Sequence, residues 1–255
     1  MADTASPNIW MRPERPARGP RPAYSRAQIT EAAIRVADAE GLEAASMRRI
    51  AAEIGTGAMT LYRYVPSRDD LIALMVDHAI GQEPLPERPS GDWRADLALV
   101  ARHTRAVGLR HRWLADLPPA GAVFGPNQLR VIEFAYGALD VGLPIDDILT
   151  YVGMVMGHAQ LAVRAEIAWE REAERGGATA EQRMRRNSPY VDQLIRSGEH
   201  PMFARIVMDA RQPHMSPDER FRYGLDRVLD CIGAMIPIGP RMSALTRADA
   251  PARPS

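Results

Sequence analysis

The sequence contains no lysine: all 32 basic residues are arginine, they are matched by 32 acidic residues, and the formal net charge is zero. A neutral chain is not a uniformly cationic binder of nucleic acid or membranes, so any such role must rest on local charge. The single cysteine, Cys231, excludes an internal disulfide and a cysteine-built zinc site, and is expected to be a buried, inert thiol. No run of about eighteen apolar residues occurs, and the opening "MADTASPNIWMRPERPARGP" lacks the apolar segment of a signal peptide, which points to a cytosolic protein with no membrane partner. Alternating apolar–polar segments of strand length are missing too, as is any fixed-period repeat. What remains is a chain of 255 residues, 46% hydrophobic, with room for two domains and an all-α fold class.

The charge is unevenly spread. Residues 1–68 hold ten arginines against seven acidic residues, a net charge of +3, and the remainder compensates. Residues 1–23 are rich in proline and arginine without apolar period, and are expected to be a disordered arm. From Ser25 the pattern turns helical. "SRAQ" is a capping box, followed by Ile29, Ala32, Ala33, Val36 and Ala37 at helical spacing up to Gly41. Ser46 caps a second, short helix with Met47, Ile50 and Ile54 on one face, ended by Gly55. A third runs from near Gly57 to Val65, where Pro66 stops it. Ser67 opens a fourth, which carries Leu71, Leu74, Met75 and Ala79 to Gly81. "GQEPLPERPSG", residues 81–91, is the linker. Beyond it, helical patterns are predicted from Trp93 to Val107, Pro126 to Leu143, Asp146 to Arg175, and in "SPDERFRYGLDRVLDCIGAMI". From Pro237 the composition again predicts a flexible tail, so the expected domains are 24–80 and 92–236.

Two short helices around a glycine-containing turn have the sequence shape of a helix-turn-helix, whose second helix enters the major groove of DNA. In the third helix Leu61 and Val65 face inward, which turns Met59 and Arg63 outward and sets Thr60, Tyr62 and Tyr64 on the flanks. Hydroxyls donate to phosphates, arginine pairs with guanine in a bidentate manner, and methionine touches a thymine methyl. Gly55 and Gly57 permit positive φ and close approach of backbone to phosphate, and Ser67 with the fourth helix's N-terminus offers a second phosphate site. The competing reading is three short packed helices with half-buried tyrosines. The arm before Ser25 either follows DNA or is a solvated tail.

The segment "YSRAQITEAAIRVADAEGLEAASMRRIAAEIGTGAMTLYRYVPSRDDLIALMVDH" resembles the DNA-binding domain of the TetR family of transcriptional regulators, most specifically in "RRIAAEIGTGAMTLYRYVPSRDDL". The resemblance implies base-facing roles for Arg48, Ala58, Met59 and Tyr62 and phosphate-facing roles for Met47, Thr60, Tyr64 and Arg68. Arg63 stands where an aromatic is frequent. Ala58 and Met59 lack a hydrogen-bonding amide, so base readout is expected to lean on Arg48 and Arg63.

The remainder resembles the tetracycline-repressor-like ligand-binding and dimerisation domain. "SGDWRADLALVARHTRAVGLRHRW" is similar to its fifth helix and "PDERFRYGLDRVLDCI" to its last. The resemblance implies a homodimer held by a four-helix bundle of the two long helices, with Gly153, Gly157 and Ala159 allowing close approach. It further implies a small-molecule inducer lined by Trp93, Thr104, Trp113, Phe134, Met154 and His158, and a near-palindromic double-stranded DNA operator. No cofactor is implied. Where tetracycline repressors carry a magnesium-binding histidine, this sequence has Pro118, and its six histidines show no metal spacing, which argues against a tetracycline–magnesium inducer. The expected function is a DNA-binding transcriptional regulator, a repressor released by its ligand. The alternatives are a DNA-binding regulator without an inducer and, remotely, a helical enzyme, for which the sequence offers no nucleophile–base pair or phosphate loop.

Overall fold

The computed structural model describes residues 8–12, 24–118, 124–176, 180–210 and 215–236, and every regular element among them is a helix. α1 (Arg26–Glu40) starts at the expected capping box: Gln28 N donates to Ser25 Oγ at 3.1 Å and Ser25 N donates to Gln28 Oε1 at 2.9 Å. Gly41 ends it at φ +89°, a conformation glycine reaches without steric cost. α2 (Met47–Glu53) is capped by Ser46, and α3 (Ala58–Tyr62) is only five residues long. The expected continuation of α3 to Val65 is a turn that keeps one helical bond, Val65 N to Leu61 O at 2.9 Å, before Pro66. α4 (Arg68–Gly81) follows its Ser67 cap. These helices close around Ile29, Ile50, Leu61, Val65, Leu71 and Met75, all buried, and form the head of the molecule.

The body consists of α5 (Trp93–Arg110), α6 (Pro126–Ala138), α7 (Ile145–Gly176) and α10 (Pro217–Met235), packed around Leu97, Val100, Phe134, Val152, Leu225 and Leu229. α6 stops at Ala138 rather than Leu143 because the chain turns there, with Gly142 at φ +88°. α8 (Ala180–Ser197) and α9 (Pro201–Asp209) were not expected from the sequence. Pro189 and the many charges of α8 hide its helical pattern. Both lie outside the two cores.

Three expectations need correction here. The chain is non-helical across residues 82–92, yet the head's core does not end there: Val107 and Trp113, beyond α5's middle, belong to it. The arm is not loose throughout either. Ile9 is 1% exposed in a 3₁₀ turn (Ile9–Met11), and Arg26 Nη1 holds the carbonyl of Arg12 at 2.8 Å. An apolar side chain with a place to bury overrides a disorder-prone composition. Residues 1–7, 13–23 and the expected tail 237–255 lie outside the described residues. Cys231 is exposed on α10, not buried.

Candidate nucleic-acid interface

The turn between α2 and α3 is made by Gly55 at φ +72°. Gly57, expected to share that conformation, is instead the extended N-cap of α3 at φ −89°. Tyr24 ties the turn to the start of the head by donating its hydroxyl to Ile54 O at 3.3 Å. The far end of α3 is held by Arg26, whose Nε donates to Tyr64 O at 3.1 Å. With Leu61 and Val65 buried beneath it, α3 is fixed at both ends and along its inner face. Its outer face is bare: Met59 is 78% exposed, Tyr62 43%, and Arg63 lies beside them.

The arginines of the head divide into occupied and available groups. Arg48 and Arg63 are exposed and have no hydrogen bond or ion pair among the described residues. Arg49 is occupied, with Nη2 2.7 Å from Glu40 Oε1 and Nη1 2.9 Å from Glu53 Oε2. The hydrogen bonds to Glu40 and then Glu53 hold its pKa above the ordinary guanidinium value. Arg68 donates from Nη2 to Leu42 O at 3.1 Å and lies 3.5 Å from Glu43, so it braces the turn after α1 while remaining partly exposed. The free positive charge therefore concentrates on Arg48 and Arg63, the two residues expected to read bases.

Several expected contacts are placed differently. Met47 is a core residue, so a phosphate contact there falls to its backbone and not to its side chain. Ala58 and Tyr64 are half-buried against the same core, and Thr60 is half-buried on the flank. Ser67 spends its hydroxyl inside its own helix: it accepts from Asp70 N at 3.0 Å and donates to Asp70 Oδ2 at 2.7 Å. Asp69 and Asp70 in that first turn make α4's N-terminus unfavourable for phosphate, against the expectation.

The six expected ligand contacts are not brought together. Trp113 is 2% exposed within the head's core, and its Nε1 donates to Asp38 Oδ1 at 2.9 Å, which removes it from any body pocket. Met154 is exposed on α7. Phe134 is buried in the body, Trp93 is half-buried against it, and Thr104 Oγ1 donates to Val100 O at 2.9 Å on α5. His158 stacks on Phe221 with ring centroids 5.5 Å apart and edges a shallow groove of about 160 Å³ between α7 and α10. Among the described residues no group of three histidines, cysteines or carboxylates is placed to hold a metal, and Pro118 is exposed.

Two polar seams join head to body, one around buried His111 and one around buried Asp77, and nothing in the sequence announced either. In the first, Asp38 of α1 accepts from Trp113 Nε1 and lies 2.9 Å from His111 Nδ1, while His111 Nε2 is 3.3 Å from Gln82 Oε1. In the second, Asp77 of α4, 3% exposed, caps α6: Oδ1 accepts from the backbone N–H of Asn127 at 2.8 Å and of Gln128 at 3.0 Å, and Oδ2 from Asn127 Nδ2 at 2.8 Å. The partners are 73 and about 50 residues apart, beyond any local pattern.

Against known proteins, residues 29–75 match the family described as bacterial regulatory proteins, tetR family, and residues 85–236 match the tetracyclin repressor-like C-terminal domain. The chain is 35% identical over 233 residues to the transcriptional repressor DrrR1 of Streptomyces coeruleorubidus, covering 89% of this chain and 84% of that one. It is 32% identical over 185 residues to an HTH-type transcriptional regulator of Saccharopolyspora erythraea, covering 71% and 78%. Among solved structures, ActR of Streptomyces coelicolor in complex with actinorhodin aligns with a TM-score of 0.62 at 25% identity, over 84% of this chain and 98% of that one.

Proposed function

Because the chain belongs to the TetR family and is a DNA-binding transcriptional regulator, we propose that it acts as a homodimeric repressor released from its operator by a small, largely apolar molecule. The observation that carries the reading is the outer face of α3 with α2: exposed Arg48, Met59, Tyr62 and Arg63 stand on a buried stem of Leu61 and Val65. Arg48 and Arg63 read base edges; Thr60, Tyr64 and Arg68, with the backbone at Met47 and Ala58, set register on the phosphates. Two heads about one helical turn of DNA apart make a near-palindromic operator.

The effector enters the body between α5, α6 and α7, where Phe134 is buried and Trp93 and Thr104 are half-buried, while His158 stands apart at the α7–α10 groove. A relative solved with actinorhodin and another named as a repressor support a ligand-released repressor over a regulator without an inducer. The dimer forms through α7 and α10, whose Leu149, Leu161, Trp169 and Tyr223 are exposed in the single chain. Gly153 and Gly157 have open space around them, as that seam needs, whereas Ala159 is buried in its own protomer and drops out of it.

The test is binding of the purified protein to the intergenic DNA beside its own gene, against random DNA, across a salt series. Sequence-preferring binding with a steep salt slope is expected. Salt-sensitive binding that never distinguishes the two DNAs would remove the base-reading assignment. A thermal-shift screen of small apolar compounds then finds the effector, since a ligand of the native state alone raises Tm.

A further inference from the structure

We propose that Asp77 is the positioning residue that sets the angle of the head on the body, by acting as the N-cap of α6 from a different helix.

The N-cap of α6 is Gly125, which has no side chain to satisfy the first free N–H groups of the helix. Asp77 supplies the missing acceptor from α4, bonding the N–H groups of Asn127 and Gln128 with one oxygen and the Asn127 amide with the other. The approach is close enough that a side chain at either neighbouring glycine would push the pair apart. A Cβ at Gly125 would collide with the Asp77 carboxylate, and one at Gly81 would lie 2.6 Å from Asn127 Cγ. The carboxylate is buried and sits at the positive end of α6, so parting the two helices strands a charge without partners.

The second attachment point gives this contact its leverage. The end of α5 and the 3₁₀ turn Arg112–Asp116 carry Val107 and Trp113 into the head's core, locked by Asp38 and His111. Head and α5 terminus therefore move as one unit, and this joint is a pivot. One pivot leaves the head free to swing; the Asp77 cap, on α4, removes that freedom by referring the head to α6. Phe134 of α6 lies in the body's core, so the cap refers α4, and Ser67 beside α3 with it, to a buried element of the body.

The test uses the full-length protein with Cys231→Ser and two spin labels, at Ala52→Cys on α2 and Arg164→Cys on α7, diluted in unlabelled protein so that distances within one protomer are read. Asp77→Asn turns an amide donor toward the Asn127 donor. Asn127→Ala removes only the side-chain half of the contact. The exchanged pair Asp77→Asn/Asn127→Asp restores one donor facing one acceptor. The parent is expected to give one narrow distance distribution, each single variant at least a twofold broader or displaced one, and the exchanged pair a return to the parent's. A residue that merely stabilises the fold would lower Tm and leave that distance unmoved.

Parent-like distributions in the folded single variants, or an exchanged pair as broad as they are, would overturn the proposal. Where Asp77→Asn does not fold, Asn127→Ala decides alone, since it leaves the carboxylate and both backbone donors in place. The distance needs neither DNA nor effector, so its outcome is independent of the operator measurement.

Discussion

Arg48 and Arg49 are adjacent on α2 and turned about 100° apart by the helix, which gives them different work. Arg49 is taken up by Glu40 and Glu53, whereas Arg48 projects with nothing to neutralise it. Arg48→Ala or Arg63→Ala should therefore weaken operator binding by about 1–3 kcal/mol and leave binding to random DNA nearly unchanged. Arg49→Ala should lower Tm slightly and preserve the ratio of specific to random binding. Parallel titrations of both DNAs check this, and equal loss on both for Arg48→Ala and Arg63→Ala would reverse the assignment. His103 makes a second prediction at this scale. Burial pushes its pKa below 6.5, against the opposing bond from its Nε2 to Glu83 O at 3.0 Å. The unfolded chain then takes up a proton that the folded one refuses, so stability is full above pH 6.5 and declines as pH falls from there to the folded-state value. Thermal melts between pH 7.5 and 5.5 should show a steeper acid-side loss for the parent than for His103→Gln.

At the scale of elements, α3 is too short to persist alone, since a helix of five residues never recovers the cost of nucleation. Its existence depends on Leu61 and Val65 below and on Arg26 and Tyr24 at its ends. The inward Leu61–Val65 pair was legible from spacing; the Arg26 bond, spanning 38 residues, was not. The body has a comparable brace in Arg105 of α5, which pairs with Glu166 of α7 through two bonds of 2.8 Å, reaches Asp218 of α10, and lies 5.0 Å from the Phe221 ring centroid. The Glu166 side chain is only 11% exposed. Arg105→Ala should cost about 3 kcal/mol by leaving that carboxylate unpaired, and Arg105→Ala/Glu166→Leu should recover part of it. Chemical denaturation of the three variants measures both, and a single-variant loss within the range of an ordinary surface change would show the brace to be solvated.

For the whole molecule, the proposed dimer covers the apolar side chains left open on α7 and α10. Leu161→Asp with Tyr223→Asp should convert the dimer to a monomer by light scattering at micromolar concentration, with far-UV circular dichroism unchanged and operator binding lost. If the doubly substituted protein stays dimeric, the α7–α10 seam is misplaced. Exposed Cys231 on α10 is a site for cross-linking that same assembly. The two seams between head and body belong to this scale too, since each joins one half of the molecule to the other.

Local chemistry settled much of this protein in advance: capping serines, glycine stops, Pro66 and the apolar period located most helices, and the spacing of Leu61 and Val65 decided which face of α3 meets solvent. Such features act over one or two turns, the range in which a sequence states its own geometry. The tertiary structure alone decided which of two neighbouring arginines is free, that Trp113 belongs to the head and not to a ligand wall, that Ile9 finds a buried place, and that Asp77 caps a helix about 50 residues away. Each of these depends on which distant group lies against an unsatisfied charge, donor or apolar surface, and that is fixed only when the helices pack.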